Sequence, residues 1–190
     1  ASALAALGTR CPHLAVSVTR MSSAEQWRAL RERQIHAGIG YGQPDEESEL
    51  AHEPLAHISL SSVLLPVDHP LASRAPLHFR DLEGFPLLIF PREVNPLLHD
   101  WITTALEARG LHAETRAWMH SQAAHDAAVR AGHGWALTTA SLPEIPDGVA
   151  LCPVADPPIH TALSVWWSPA AADTGVEAFV ESALAARDQD

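Results

Sequence analysis

Two short stretches of this sequence place hydrogen-bond donors where an anion could sit. Ser22-Ser23-Ala24-Glu25 spells a Ser-x-x-Glu capping box. Asn95-Pro96-Leu97 puts an acceptor side chain at a helix cap and proline at the first helical position. A capped helix start presents unbonded amides and a partial positive charge, which suits a carboxylate. An ordinary cap has the same spelling, so each stretch is either an anion grip or only the start of a helix. Arg92, just ahead of Asn95, carries a planar fork that can hold a carboxylate at two points, or it is a solvated surface side chain. Tyr41 closes an apolar run and offers a hydroxyl or packs. His120 and Thr138 are further candidates for the same ligand.

Other chemistries find little support. The chain has 12 histidines, but His120 and His125 lack any His-Glu-x-x-His or Cys-x-x-Cys companion, so no metal or other cofactor is expected. No Gly-x-Ser-x-Gly elbow, phosphate loop or Gly-x-Gly-x-x-Gly occurs. Asp68-His69 has the composition of a catalytic dyad, yet Pro70 follows at once and the run reads as a turn. Cys11 and Cys152 sit beside apolar residues and read as small core side chains. With a formal charge of −11 and no Lys/Arg cluster, the chain does not wrap nucleic acid unaided. Its 47% hydrophobic and 18% charged residues are a globular composition. No apolar run approaches the ~20 residues of a membrane helix. Neither a signal-peptide pattern nor a methionine opens the sequence, and a cytoplasmic location without membrane association is expected.

The elements that would position these residues alternate. Helical patterns cover residues 3–9, 22–33, 95–110, 121–129 and a stretch from Thr174, where Thr174-Gly175-Val176-Glu177 reads as a second capping box. In the third helix Leu97, Leu98, Trp101, Ile102 and Leu106 are expected on one inward face. Strand patterns cover 14–18, 35–41, 58–66, 85–90, 115–119, 135–139 and 163–167, while the acidic stretch 43–53 reads as a solvated loop. Alternation of this kind predicts an α/β fold with a largely parallel sheet.

Val63-Leu64-Leu65-Pro66-Val67-Asp68-His69-Pro70-Leu71-Ala72 resembles the crossover segment in the effector-binding domain of LysR-type transcriptional regulators. The likeness extends through Cys11-Pro12-His13-Leu14, Arg20-Met21-Ser22-Ser23, Arg33-Gln34-Ile35-His36-Ala37-Gly38-Ile39 and Ala128-Val129-Arg130-Ala131-Gly132-His133-Gly134. His36 stands where the family commonly has Asp. The resemblance implies two Rossmann-like lobes joined by crossover strands, of the type 2 periplasmic-binding-protein kind, with the first strand missing or shortened. One lobe would hold residues 1–56 plus 163–190 and the other 57–162.

It further implies that Ser22, Ser23, Tyr41, Arg92, Asn95, Pro96, Leu97 and His120 line a cleft between the lobes. A small carboxylate, aromatic or derived from aromatic breakdown, would bind there and bias the closed arrangement. A homodimer or higher oligomer would relay this to DNA through a winged helix-turn-helix domain absent from this chain. Two rivals share the fold class: a solute-binding protein of a transport system, and an enzyme resembling prephenate dehydratase. The second would need a convergent acid, base or nucleophile, and none is found. A shortened fragment that binds nothing well is the remaining alternative.

Overall fold

The helix signals at Ser22 and at Asn95-Pro96 act where they are written. The computed structural model describes residues 3–42, 44, 49–74, 76–117, 122–140 and 142–187. Helix α1 covers Ala3–Arg10 and α2 covers Ser23–Arg31. Helix α2 starts at Ser22, whose hydroxyl accepts from the Glu25 amide (3.2 Å) while its own amide donates to the Glu25 carboxylate (2.7 Å). It ends in a Schellman motif, with Gln34 N–H donating to the Ala29 carbonyl and Arg33 N–H to that of Leu30. The left-handed position is filled by Arg33, at φ 58°, where glycine is usual.

The chain forms two compact units, Ala1–His57 with Ala162–Asp190 and Ile58–Thr161. In the first unit, strand β1 (Ala37–Tyr41) runs antiparallel to the second half of β7 (Ile159–Trp167), pairing Gly38 with Trp166 and Gly40 with Ser164. Trp166 is fully buried and meets Trp27 of α2 edge-on, ring centroids 5.4 Å apart. Helix α5 (Thr174–Arg187) lays Val176 and Val180 on Val165, with Trp167 and Phe179 partly buried beside them. Its cap is not Thr174, as the spelling suggested, but Asp173, whose carboxylate accepts from the amides of Gly175 (3.0 Å) and Val176 (2.9 Å). Asp precedes the expected box by one residue and takes the helix because its carboxylate is the stronger acceptor.

The second unit contains β2 (Ala51–Pro66) from Ile58 onward, β3 (Leu87–Ile89), α3 (Pro96–Glu107), β4 (Thr115–Ala117), α4 (Gln122–Arg130), β5 (Ala136–Thr139) and β6 (Val149–Pro153). Its core gathers Val63, Leu65, Phe79, Leu82, Leu106 and Trp135, and the Trp135 indole donates to the Phe85 carbonyl at 2.9 Å.

Several expectations need correction. The sheets are not largely parallel: β1 with β7, and β2 with both β5 and β6, pair antiparallel, and β3 with β4 is the parallel strand pair among the described residues. The unit boundaries fall inside two long strands, β2 and β7. Strand β2 already starts at Ala51, inside the expected loop, and β6 was not anticipated. Residues 14–18 form no strand; Leu14, Val16 and Val18 remain exposed, because their alternation meets no hydrogen-bonding edge. Helix α3 buries Leu98, Ile102 and Leu106, a strict four-residue stripe, whereas Leu97 and Trp101 sit one position earlier on the helical wheel and face outward. Of the two cysteines, Cys152 is buried, which pushes its thiol pKa up, and Cys11 is half-buried.

Candidate functional site

In the first unit, the start of α2 lies over the C-terminal end of β1. The capping box engages the hydroxyl oxygen of Ser22 as an acceptor and its amide as a donor. The Ser23 hydroxyl instead points at β1: a Cβ built on Gly40 would lie 3.1 Å from it. The same Cβ would meet the Trp166 ring at 2.4 Å, so only glycine lets β1 lie this close to the indole and to the helix start. Tyr41, the last residue of β1, is half exposed. Glu25 has its pKa lowered by the Ser22 amide that its carboxylate accepts, with the Ser22 hydroxyl and Arg28 adding to the effect.

In the second unit, β3 and β4 run side by side in parallel, Ile89 beside Ala117, so both strands end on the same side of the pair. Helix N-termini beyond the C-terminal ends of parallel strands are where open α/β sheets bind ligands. The segment after β3 carries Arg92, Asn95, Pro96 and Leu97. Asn95 is buried and its side-chain oxygen accepts from the Leu98 amide at 3.1 Å. Pro96 occupies the first turn of α3, and Leu97 is exposed. His120 follows β4 in sequence and lies outside the described residues. Thr138 lines a different hollow, with His125, Asp126 and Pro143, to which neither Arg92 nor Asn95 contributes.

Arg92 is engaged from within the chain. Its Nε and a terminal nitrogen donate to the two oxygens of Asp100 at 2.7 and 2.6 Å. The Arg92 hydrogen bond holds the Asp100 carboxyl below its usual pKa, and the same bond raises that of the guanidinium. Sequence reasoning missed Asp100, because a pair eight residues apart across a proline cap follows no helical spacing. It also missed Trp101, assigned to the core. Trp101 is 56% exposed and its indole N–H donates to the His160 carbonyl at 2.9 Å, which fixes an aromatic side chain at the surface of this unit.

The Asp68-His69 pair is a turn: the His69 ring stacks on Phe85 and its Nδ1 accepts from the Leu71 amide. Among the described residues, no group of three or more His, Cys, Asp or Glu side chains could hold a metal ion. No described helix is long and apolar enough to cross a membrane.

Comparison with known proteins gives this geometry its context. The model of the LysR substrate binding domain matches residues 1–188. The HTH-type transcriptional regulator IlvR of Caulobacter vibrioides is 32% identical over 166 residues, which cover 86% of this chain and 55% of that protein. The chain thus spans about half the length of this relative. Among solved structures, the BenM effector binding domain with its effector benzoate superposes with a TM-score of 0.74 at 20% identity, covering 98% of this chain and 85% of that one. The Synechocystis PCC6803 CcmR regulatory domain in complex with 2-PG gives 0.77 at 16% identity, covering 97% and 89%. These likenesses agree with an α/β fold of the kind expected from the sequence. A family match over nearly the whole chain establishes that this protein belongs to the LysR substrate binding domain family.

Proposed function

We propose that the chain is the effector-sensing part of a transcriptional regulator and that its effector is a small organic carboxylate. The observation that carries the second half is the Arg92 fork, which already holds a carboxylate at two points in the segment leading into α3. The pair is exposed on both sides, so solvent screens it and an incoming carboxylate can exchange with Asp100 at little cost. Ser23 at the start of α2, with Tyr41, and Asn95, Pro96 and Leu97 at the start of α3, are the further candidates for ligand contacts, as is His120. Benzoate, named with BenM, is a carboxylate, which supports the ligand class without naming the effector here.

On this reading the ligand favours one arrangement of the protein over another, and that bias is passed to a DNA-binding domain elsewhere in the full polypeptide. An oligomer, at least a dimer, and a cytoplasmic location belong to the same proposal. Catalysis does not: the Asp68-His69 pair is occupied structurally, and the named relative IlvR is a regulator. The family match also disfavours a transport-type solute-binding protein. The test is titration of the protein with benzoate and other small carboxylates, with Arg92→Gln and Ser23→Ala as the variants that should lose binding.

A further inference from the structure

Ser164 is fully buried, and its hydroxyl has no hydrogen-bond partner among the described residues. Ser182, equally buried, donates to the Ala178 carbonyl at 2.6 Å. A buried hydroxyl that bonds nothing keeps its full desolvation cost and packs no better than the methyl of alanine. The indole N–H groups of Trp27 and Trp166 are unpartnered too, but their rings pack on each other and on Leu30. A serine offers the core no such return.

The strand pairing shows where that hydroxyl lies. Ser164 of β7 is directly opposite Gly40 of β1, and directly opposed residues turn their side chains to the same face of the sheet. That face carries the start of α2: a Cβ on Gly40 would be 3.1 Å from the Ser23 hydroxyl oxygen and 2.4 Å from the Trp166 ring. Ser23 and Ser164 therefore flank one glycine beside an aromatic wall. Ser23 is only half-buried, so a ligand that reaches its hydroxyl comes up against Ser164 across the Gly40 position. The Glu25 carboxylate, bonded to the Ser22 amide at 2.7 Å, already places a negative charge at the positive end of this helix. The position thus suits an uncharged oxygen better than an anion.

We infer that Ser164 contacts the effector and sets its specificity, and that the effector carries a hydroxyl or keto oxygen besides its carboxylate. The inference rests on the proposed reading of the chain as a sensor of small carboxylates, and adds the group that the first unit recognises. A serine hydroxyl both donates and accepts, so it pairs with either kind of oxygen. An acid without that oxygen leaves the buried hydroxyl unpaired, which is how such a site rejects the simpler analogue.

The test has two parts. In the unliganded protein Ser164→Ala breaks no bond, so its Tm should be unchanged or higher. The second part is titration with matched acids: benzoate against its 2-, 3- and 4-hydroxy derivatives, and propionate against lactate and pyruvate. At least one oxygenated acid should bind about tenfold tighter than its parent. Ser164→Ala should bring that pair to within about twofold of each other and leave the Kd of the parent acid unchanged. A Tm several degrees lower in unliganded Ser164→Ala would place the hydroxyl in the fold and overturn the inference. Parent and oxygenated acids that bind alike, with Arg92→Gln abolishing both, would also overturn it while the carboxylate reading stands. Lactamide binding as tightly as lactate, and lost in Ser164→Ala, would keep the role of Ser164 and remove the carboxylate reading. Binding of none of these compounds would overturn both.

Discussion

Arg92 and Asp100 close a two-point ion pair, 2.7 and 2.6 Å, that ties the segment entering α3 to its second turn. On the proposed reading, Asp100 thereby holds the place of a ligand carboxylate. Removing its charge while keeping its shape should free the fork: on the proposed reading, Asp100→Asn is expected to tighten binding of a small carboxylate roughly two- to fivefold, the range of an exposed pair. Arg92→Gln should abolish it. Calorimetric titration of the two variants measures both. Weaker binding in Asp100→Asn would make the pair a brace for the segment and not a competitor.

The carboxylates of Glu25, Asp100 and Asp173 all titrate below their usual range, held there first by the Ser22 amide, the Arg92 side chain and the Val176 amide respectively. A folded-state pKa below the unfolded one gives stability that is present above the unfolded pKa and lost as pH falls through the folded one. Thermal stability should therefore fall from about pH 5 downward as the carboxylate range is crossed. Glu25→Gln with Asp173→Asn should flatten that acid limb and leave the neutral Tm lower. An unchanged acid limb in the double variant would refute the assignment.

Arg33 holds φ 58° in the position where α3 and α4 are followed by Gly110 (φ 79°) and Gly132 (φ 76°). A side chain there strains the backbone, so Arg33→Gly should stabilise the protein by about 1 kcal/mol. Urea unfolding at neutral pH reads this directly. A loss of stability would mean that the Arg33 side chain contributes more than its backbone costs.

Gly40 admits no side chain, since a Cβ would lie 2.4 Å from the Trp166 ring. Gly40→Ala should cost about 1–3 kcal/mol through overpacking. It should also disturb Ser23, whose hydroxyl borders the same position, so carboxylate affinity should fall along with stability. Gly8→Ala, at an open helical position, is the control and should be neutral or mildly stabilising.

Much of the fold is legible in the sequence because its signals are local. Ser22 with Glu25, Asn95 with Pro96, and the terminating Gly110 and Gly132 act at or next to the residues where they are written. What was misread depends on partners distant in sequence. Residues 14–18 have the alternation of a strand, but a strand also needs an edge to bond. Trp101 has the hydrophobicity of a core residue, but its neighbours Leu98 and Ile102 take the buried stripe. The candidate site was half visible: helix starts can be spelled out, whereas the Asp100 that occupies Arg92 is revealed only by the fold.

The most direct test of the account is the unfolding temperature of the protein with and without a panel of small carboxylates, benzoate included. Binding to the folded state alone raises Tm by mass action, about 2.7 kcal/mol of stabilisation at a hundredfold excess over Kd. The account predicts a rise with at least one acid, lost in both Arg92→Gln and Ser23→Ala. A cooperatively melting protein whose Tm responds to none of the acids, or responds equally to their uncharged amides, would contradict it.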